Sequence, residues 1–130
     1  MAIRRFDHAA INSRDIAASK AFYCGLLGLE EGKEVDMGEV ILHYLYLPDG
    51  SAIELFDHKD RAAYEHLRKD EGHLKHYAFK VDDIDGINAR LVQAGTSFAM
   101  PLCELGPLKV RALLCLDPDG VVVELSEANK

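Results

Sequence analysis

Cysteine is scarce in this chain: Cys24, Cys103 and Cys115 are the full complement, and they form neither an even set nor a C-x-x-C pair. That pattern argues against a disulfide framework and suits a reducing compartment in which all three are reduced packing residues. Cations are outnumbered, 15 Lys and Arg against 22 Asp and Glu, for a formal charge of −7. Nucleic acid is therefore not expected as the main partner, because affinity for it rests on neutralising phosphates with Lys and Arg. Long apolar runs are missing as well. No window approaches the roughly 20 apolar residues of a membrane span, and the cations Arg4 and Arg5 lead into no apolar stretch. No membrane partner and a cytoplasmic location are the expectation. Low-complexity tracts are absent, and a 48% hydrophobic share beside 28% charged residues is that of a soluble globular protein. At 130 residues the chain has the length of one domain that buries a core without staples.

What the sequence does contain is an internal repeat. His8-Ala9-Ala10-Ile11 with Asp15-Ile16 returns as His76-Tyr77-Ala78-Phe79 with Asp83-Ile84, displaced by 68 residues. Pro48-Asp49-Gly50 with Glu54-Leu55 returns as Pro118-Asp119-Gly120 with Glu124-Leu125, displaced by 70. Self-similarity at a nearly fixed period indicates one structural unit used twice. The repeat aligns two histidines and two glutamates.

Each half reads as β-α-β-β-β. In the first, a strand over 6–12 precedes a helix that Ser13 or Asp15 can cap, with Ile16, Tyr23, Leu26 and Leu27 as its apolar stripe and Gly28 as its stop. Strands over about 30–35, 40–47 and 52–56 follow, the last two joined by the turn at Pro48-Asp49-Gly50. In the second, a strand over 76–81 leads to a helix over about 85–94 stopped by Gly95, then strands near 97–102, 109–116 and 121–126. Between the halves, 60–69 reads as a short helical connector with His66 and His73 in solvent.

Facing turns the repeat into chemistry. The apolar faces of the four repeat strands are Ala9 and Ile11, Ile53 and Leu55, Tyr77, Phe79 and Val81, and Val121, Val123 and Leu125. Those faces are where the helices bury their stripes. Period two then turns His8, Glu54, His76 and Glu124 to the opposite face. Each residue alone fits a partly buried histidine or a solvated glutamate, and the four together also fit a mutual Glu-His ion-pair network. A divalent metal is the other compensation for two carboxylates taken from water. Imidazole nitrogens and carboxylate oxygens without thiolate suit Zn, Ni, Co, Mn or Fe(II), one ion per site, and four protein ligands in an octahedral shell leave two positions for water or substrate. His43 faces an unsettled side of its strand, and His58 belongs to the rim of the cavity or to solvent.

These marks, together with Phe22-Tyr23 and Leu27-Gly28-Leu29, resemble the vicinal oxygen chelate superfamily along nearly the whole chain. The resemblance implies an α+β fold of two tandem βαβββ modules, at about 4–58 and 73–128 and joined by a connector at 59–72, in one domain spanning 1–130. The modules form a curled, cup-like mixed β-sheet with helices on the outer face. Two His and two Glu are most similar to glyoxalase I, a metal-dependent lyase that isomerises a thiol adduct of a 2-oxoaldehyde through an enediolate. This implies His8, Glu54, His76 and Glu124 as metal ligands, with Glu54 and Glu124 catalytic and Glu124 the mobile base. It also implies a small-molecule substrate and a homodimer, since relatives often build each cavity from two chains. In glutathione-dependent relatives an Arg follows the first His by four residues and an Asn follows the first Glu by four. Here those positions hold Asn12 and His58, with Arg111 or Lys109 of the second half as the cations that could stand in. A coenzyme A thioester epimerase, a fosfomycin-type thiol transferase, a dioxygenase and a non-catalytic binder of the bleomycin-resistance kind are the alternatives.

Overall fold

The structure is a computed structural model that describes residues 6–62 and 76–129. The expected helical connector lies largely outside the described residues, as do His66 and His73. The chain divides into two compact units, Met1–Glu71 and Gly72–Lys130. Each repeats the same order of elements, giving an α+β fold of two βαβββ-like modules, each with its own four-stranded mixed sheet.

Unit one runs β1 (His8–Asn12), α1 (Ile16–Lys20) with a π-helical continuation (Ala21–Leu26), β2 (Glu30–Asp36), β3 (Val40–Tyr46) and β4 (Ala52–His58). Its sheet has the order β1-β4-β3-β2, with β1 parallel to β4 and the other pairs antiparallel. A helix must connect β1 to the rest because it enters the sheet parallel to β4. Asp15 caps that helix by accepting a hydrogen bond from the Ala18 amide at 3.1 Å. Ser13 bonds the buried Ser19 hydroxyl instead, oxygen to oxygen at 2.7 Å. The helix closes at Gly28 with φ 83°.

Unit two runs β5 (Tyr77–Lys80), α2 (Ile84–Gln93), β6 (Phe98–Leu105), a 3-10 turn (Gly106–Leu108), β7 (Val110–Leu116) and β8 (Val122–Ala128). Its sheet order, β5-β8-β7-β6, reproduces the first unit's, again with a parallel first pair. The repeat extends to the turns. Gly50 N–H donates to the Leu47 carbonyl and Leu47 N–H to that of Ser51, as Gly120 does to Asp117 and Asp117 to Val121.

The core lies where the helices meet the sheets. Phe22, Tyr23, Ile53 and Leu55 are buried in the first unit, and Ile84, Leu91, Val123 and Leu125 in the second. Of the apolar strand faces that the alternation predicts, Ile11, Ile53, Leu55, Val123 and Leu125 are buried, and Ala9, Tyr77, Phe79, Val81 and Val121 are half-buried. Two boundaries differ from the sequence expectation in a physically informative way. β6 passes through Pro101 and runs to Leu105, which is possible because β6 is an edge strand and its register shifts between Phe98 and Cys103. The helix after β1 widens to π geometry, with the Leu27 amide reaching back five residues to the Phe22 carbonyl. Among the described residues no helix is long and apolar enough to cross a membrane.

Candidate functional site

In unit one, β1 and β4 lie side by side with Ala10 opposite Glu54 and Asn12 opposite Phe56. Alternation turns His8, Ala10 and Asn12 to the same side as Glu54, Phe56 and His58, away from the buried Ile11, Ile53 and Leu55. His8 Nε2 stands 3.5 Å from Glu54 Oε2, so the predicted pair meets. Glu54 is only 5% exposed. A carboxylate taken that far from water needs donors or cations around it. His8 is one neighbour, and Tyr44, directly opposite Glu54 across the β3–β4 pair, is another. The Glu54 carboxylate beside it, with burial, holds the Tyr44 phenol above its usual range.

His8 is oriented from its other side. Its Nδ1 lies 2.7 Å from Asp7 Oδ2, and an Nδ1–H donated there leaves the Nε2 lone pair toward Glu54. Metal-binding histidines are commonly held this way, by a carboxylate on the nitrogen that does not bind. The hydrogen bond to Asp7, reinforced by the Glu54 charge and opposed by partial burial, raises the His8 pKa above the ordinary histidine value.

Unit two carries the matching pair. His76 sits one residue before β5, and its Nε2 lies 3.7 Å from Glu124 Oε1 on β8. The Glu124 side chain is 26% exposed, against 6% for that of Glu54. Thus each unit brings one predicted His and one predicted Glu together. Among the described residues no three or more His, Cys, Asp or Glu side chains form a metal cluster. The donors of each pair nevertheless suit a divalent ion, since their separations approach the roughly 3 to 3.5 Å between adjacent ligands with bonds near 2.1 Å.

The remaining candidates take definite positions. Asn12 and His58 bond each other, Oδ1 to Nε2 at 2.7 Å, on the His8 and Glu54 side of the sheet. His43 is buried on the opposite face, with Nδ1 3.4 Å from Glu34 and Nε2 3.6 Å from Asp57, and neither ring nitrogen makes a hydrogen bond. Arg111 forms a two-pronged ion pair with Asp85 of α2, both contacts at 2.8 Å. It therefore lies on the helix side of its sheet, opposite to Glu124. All three cysteines are free thiols, and burial pushes that of Cys115 up to about 11, which suits packing rather than nucleophilic work.

Sequence reasoning missed Asp7 and Tyr44. A signal for Asp7 was its adjacency to His8, but adjacent strand residues ordinarily point to opposite faces. Asp7 precedes β1, outside that alternation. Tyr44 carries no motif; it is found only through the β3–β4 register, which sets it directly opposite Glu54.

Comparison with known proteins gives a consistent result. A family profile described as the Glyoxalase/Bleomycin resistance protein/Dioxygenase superfamily matches residues 5–125. The chain is 32% identical to the uncharacterized protein YaeR of Escherichia coli K12, over 98% of both chains. Among solved structures, a glyoxylase/bleomycin resistance protein/dioxygenase domain from Frankia superposes with TM-score 0.79 at 24% identity, covering 99% of this chain and 95% of that one. TnmS3, an antibiotic binding protein from Streptomyces, superposes with TM-score 0.76 at 20% identity, covering 99% of each chain.

Proposed function

Because the chain belongs to the glyoxalase/bleomycin resistance protein/dioxygenase superfamily, we propose that it is a divalent-metal-dependent isomerase or lyase of glyoxalase I type. It acts on a thiol adduct of a 2-oxoaldehyde or a similar oxygenated small molecule, as a homodimer. The observation that carries this reading is the repeated pair: His8 with Glu54 and His76 with Glu124, at matching positions of two like units and at like separations. His8, Glu54, His76 and Glu124 would hold one ion, Ni, Co, Zn, Mn or Fe(II) by donor chemistry. When bound, that ion supplies Lewis acidity to adjacent oxygens of the substrate.

The chain's own residues have separable tasks. Asp7 fixes the His8 ring through Nδ1. Glu54, buried beside His8, is a fixed ligand. Glu124, more exposed and beside His76, is the carboxylate that takes a proton from one substrate carbon and returns it to the next. Asn12 and His58 engage each other where a glutathione-dependent enzyme carries Arg and Asn, so the charged glutamyl end of that thiol has a weaker anchor. Arg111 does not substitute for it, being paired with Asp85.

A second reading is supported by the aromatic side chains on the Glu54 face of unit one. Tyr44 and Tyr46 stack at 6.1 Å with 13° between their planes, and Phe56 shares their side of the sheet. Such a surface suits sequestration of a flat organic molecule, as in a non-catalytic binder. A screen of metal-reconstituted protein against thiol adducts of 2-oxoaldehydes, with oxygen uptake followed in parallel, tests the proposal. Metal-dependent isomerisation without oxygen consumption is expected. Oxygen-consuming turnover would favour a dioxygenase, and tight binding of aromatic compounds with no turnover of any adduct would favour the binder.

A further inference from the structure

The Glu54 face of unit one is aromatic where the matching strand of unit two is aliphatic. Tyr44 and Tyr46 of β3 stand opposite Glu54 and Ala52 of β4, and the corresponding places of β7, opposite Glu124 and Val122, hold Leu114 and Leu116. The two tyrosine rings stack at 6.1 Å with 13° between their planes, and both are half-buried. A stacked pair on a sheet face that is partly open offers a flat surface to another ring.

The edge strand beside it, β2, carries a bulge at this place. Glu31 stands opposite Leu45 and Glu34 opposite His43, so two residues, Gly32 and Lys33, oppose the single Tyr44. Gly32 lies against the Tyr46 ring, and a Cβ there would collide with the ring carbons. Lys33 is aimed at the neighbouring ring, its ammonium 4.9 Å from the Tyr44 centroid. It is the only Lys or Arg in the four strands of unit one. Lys20 and Lys59 are held by the carboxylates of Glu31, Glu34 and Asp36, whereas Lys33 forms no ion pair among the described residues.

We infer that Lys33 is a specificity-determining residue: it binds the carboxylate of a small molecule whose flat ring stacks on Tyr44 and Tyr46, so the ligand is an aromatic acid. The inference rests on the reading above that the Glu54 face of unit one receives the small molecule. A cation over a ring open to water is a weak contact, and a carboxylate offers the ammonium a stronger, charge-assisted hydrogen bond. The shelf also has a direction. Glu30 stands opposite Tyr46 at its far end, so the anionic end of the ligand belongs at Lys33 and the ring over the tyrosines.

Calorimetric titration of metal-free, chelator-treated protein tests this apart from turnover, with indole-3-acetate, its uncharged amide and the saturated acid cyclohexylacetate as probes. Indole-3-acetate should bind wild type about tenfold more tightly than either of the others, the scale of one charge-assisted hydrogen bond. Lys33→Met, which keeps the stem and removes the charge, should bind the acid and its amide alike. Tyr46→Leu should instead erase the preference for indole-3-acetate over cyclohexylacetate. Equal binding of acid and amide by wild type would overturn the inference, as would a preference that survives Lys33→Met, or no binding of any aromatic probe. The expected pattern in a protein that takes up no metal on reconstitution would uphold the inference and remove the metal-dependent reading. Metal uptake without the pattern would do the reverse.

Discussion

Glu54 and Glu124 hold matching places in the two units, yet one is buried and the other is a quarter exposed. A carboxylate bound to a divalent cation is a weak base, so a site with two of them can do proton transfer only if one loosens. The environment of Glu124 permits that more readily. Ser126 lies two residues on, on the same face, and can take hold of a turned carboxylate; the matching place after Glu54 is Phe56, which cannot. Glu124→Gln should lower turnover by roughly 10²-fold or more while retaining metal. Glu54→Gln should lose metal first. Turnover and metal content measured together decide the matter, and a Glu54→Gln enzyme more damaged at equal occupancy would reverse the assignment. Both glutamates were legible in the sequence because the repeat aligns them. Ser126 against Phe56 was legible too, whereas the deeper burial of Glu54 was not, since it depends on packing that no motif marks.

At the scale of elements, the helices are fastened to the sheets by polar contacts as well as apolar burial. The clearest is Asp85 in the first turn of α2 with Arg111 of β7, both prongs at 2.8 Å. The Arg111 guanidinium holds the Asp85 carboxyl below its usual range. A depressed folded-state pKa contributes stability that is present above the unfolded value, near 3.9, and disappears as pH falls through the folded one. The stability gap between wild type and Asp85→Asn should therefore be constant near neutrality, narrow below about pH 4 and close in stronger acid. Denaturant midpoints at several pH values check this, and a gap that widens on acidification would contradict it. Most elements were readable from the sequence because alternation, caps and stopping glycines agree: Asp15 caps the first helix, and Gly28 and Gly95 stop the two helices. The extension of β6 through Pro101 was not, because proline is excluded from central strands but tolerated on an edge, and edge position is a property of the sheet. The π turn after α1 was missed for a similar reason: the wider turn has no fixed sequence signature.

For the whole molecule, a chain made of one unit used twice offers two like pairs, each of a histidine and a glutamate. The proposed four-ligand metal would take one pair from each unit, of a single chain or of two. Mixing inactive His8→Ala with inactive His76→Ala chains separates these arrangements: restored activity is expected for a dimer that shares its sites, and a monomer by light scattering would contradict the dimer. The central claim is that both pairs serve the same ion, and metal content tests it most directly. After reconstitution with nickel or zinc and removal of excess, elemental analysis should give about one ion per site for wild type and close to none for the His8→Ala/His76→Ala double variant. Equal metal in the two proteins would contradict the account.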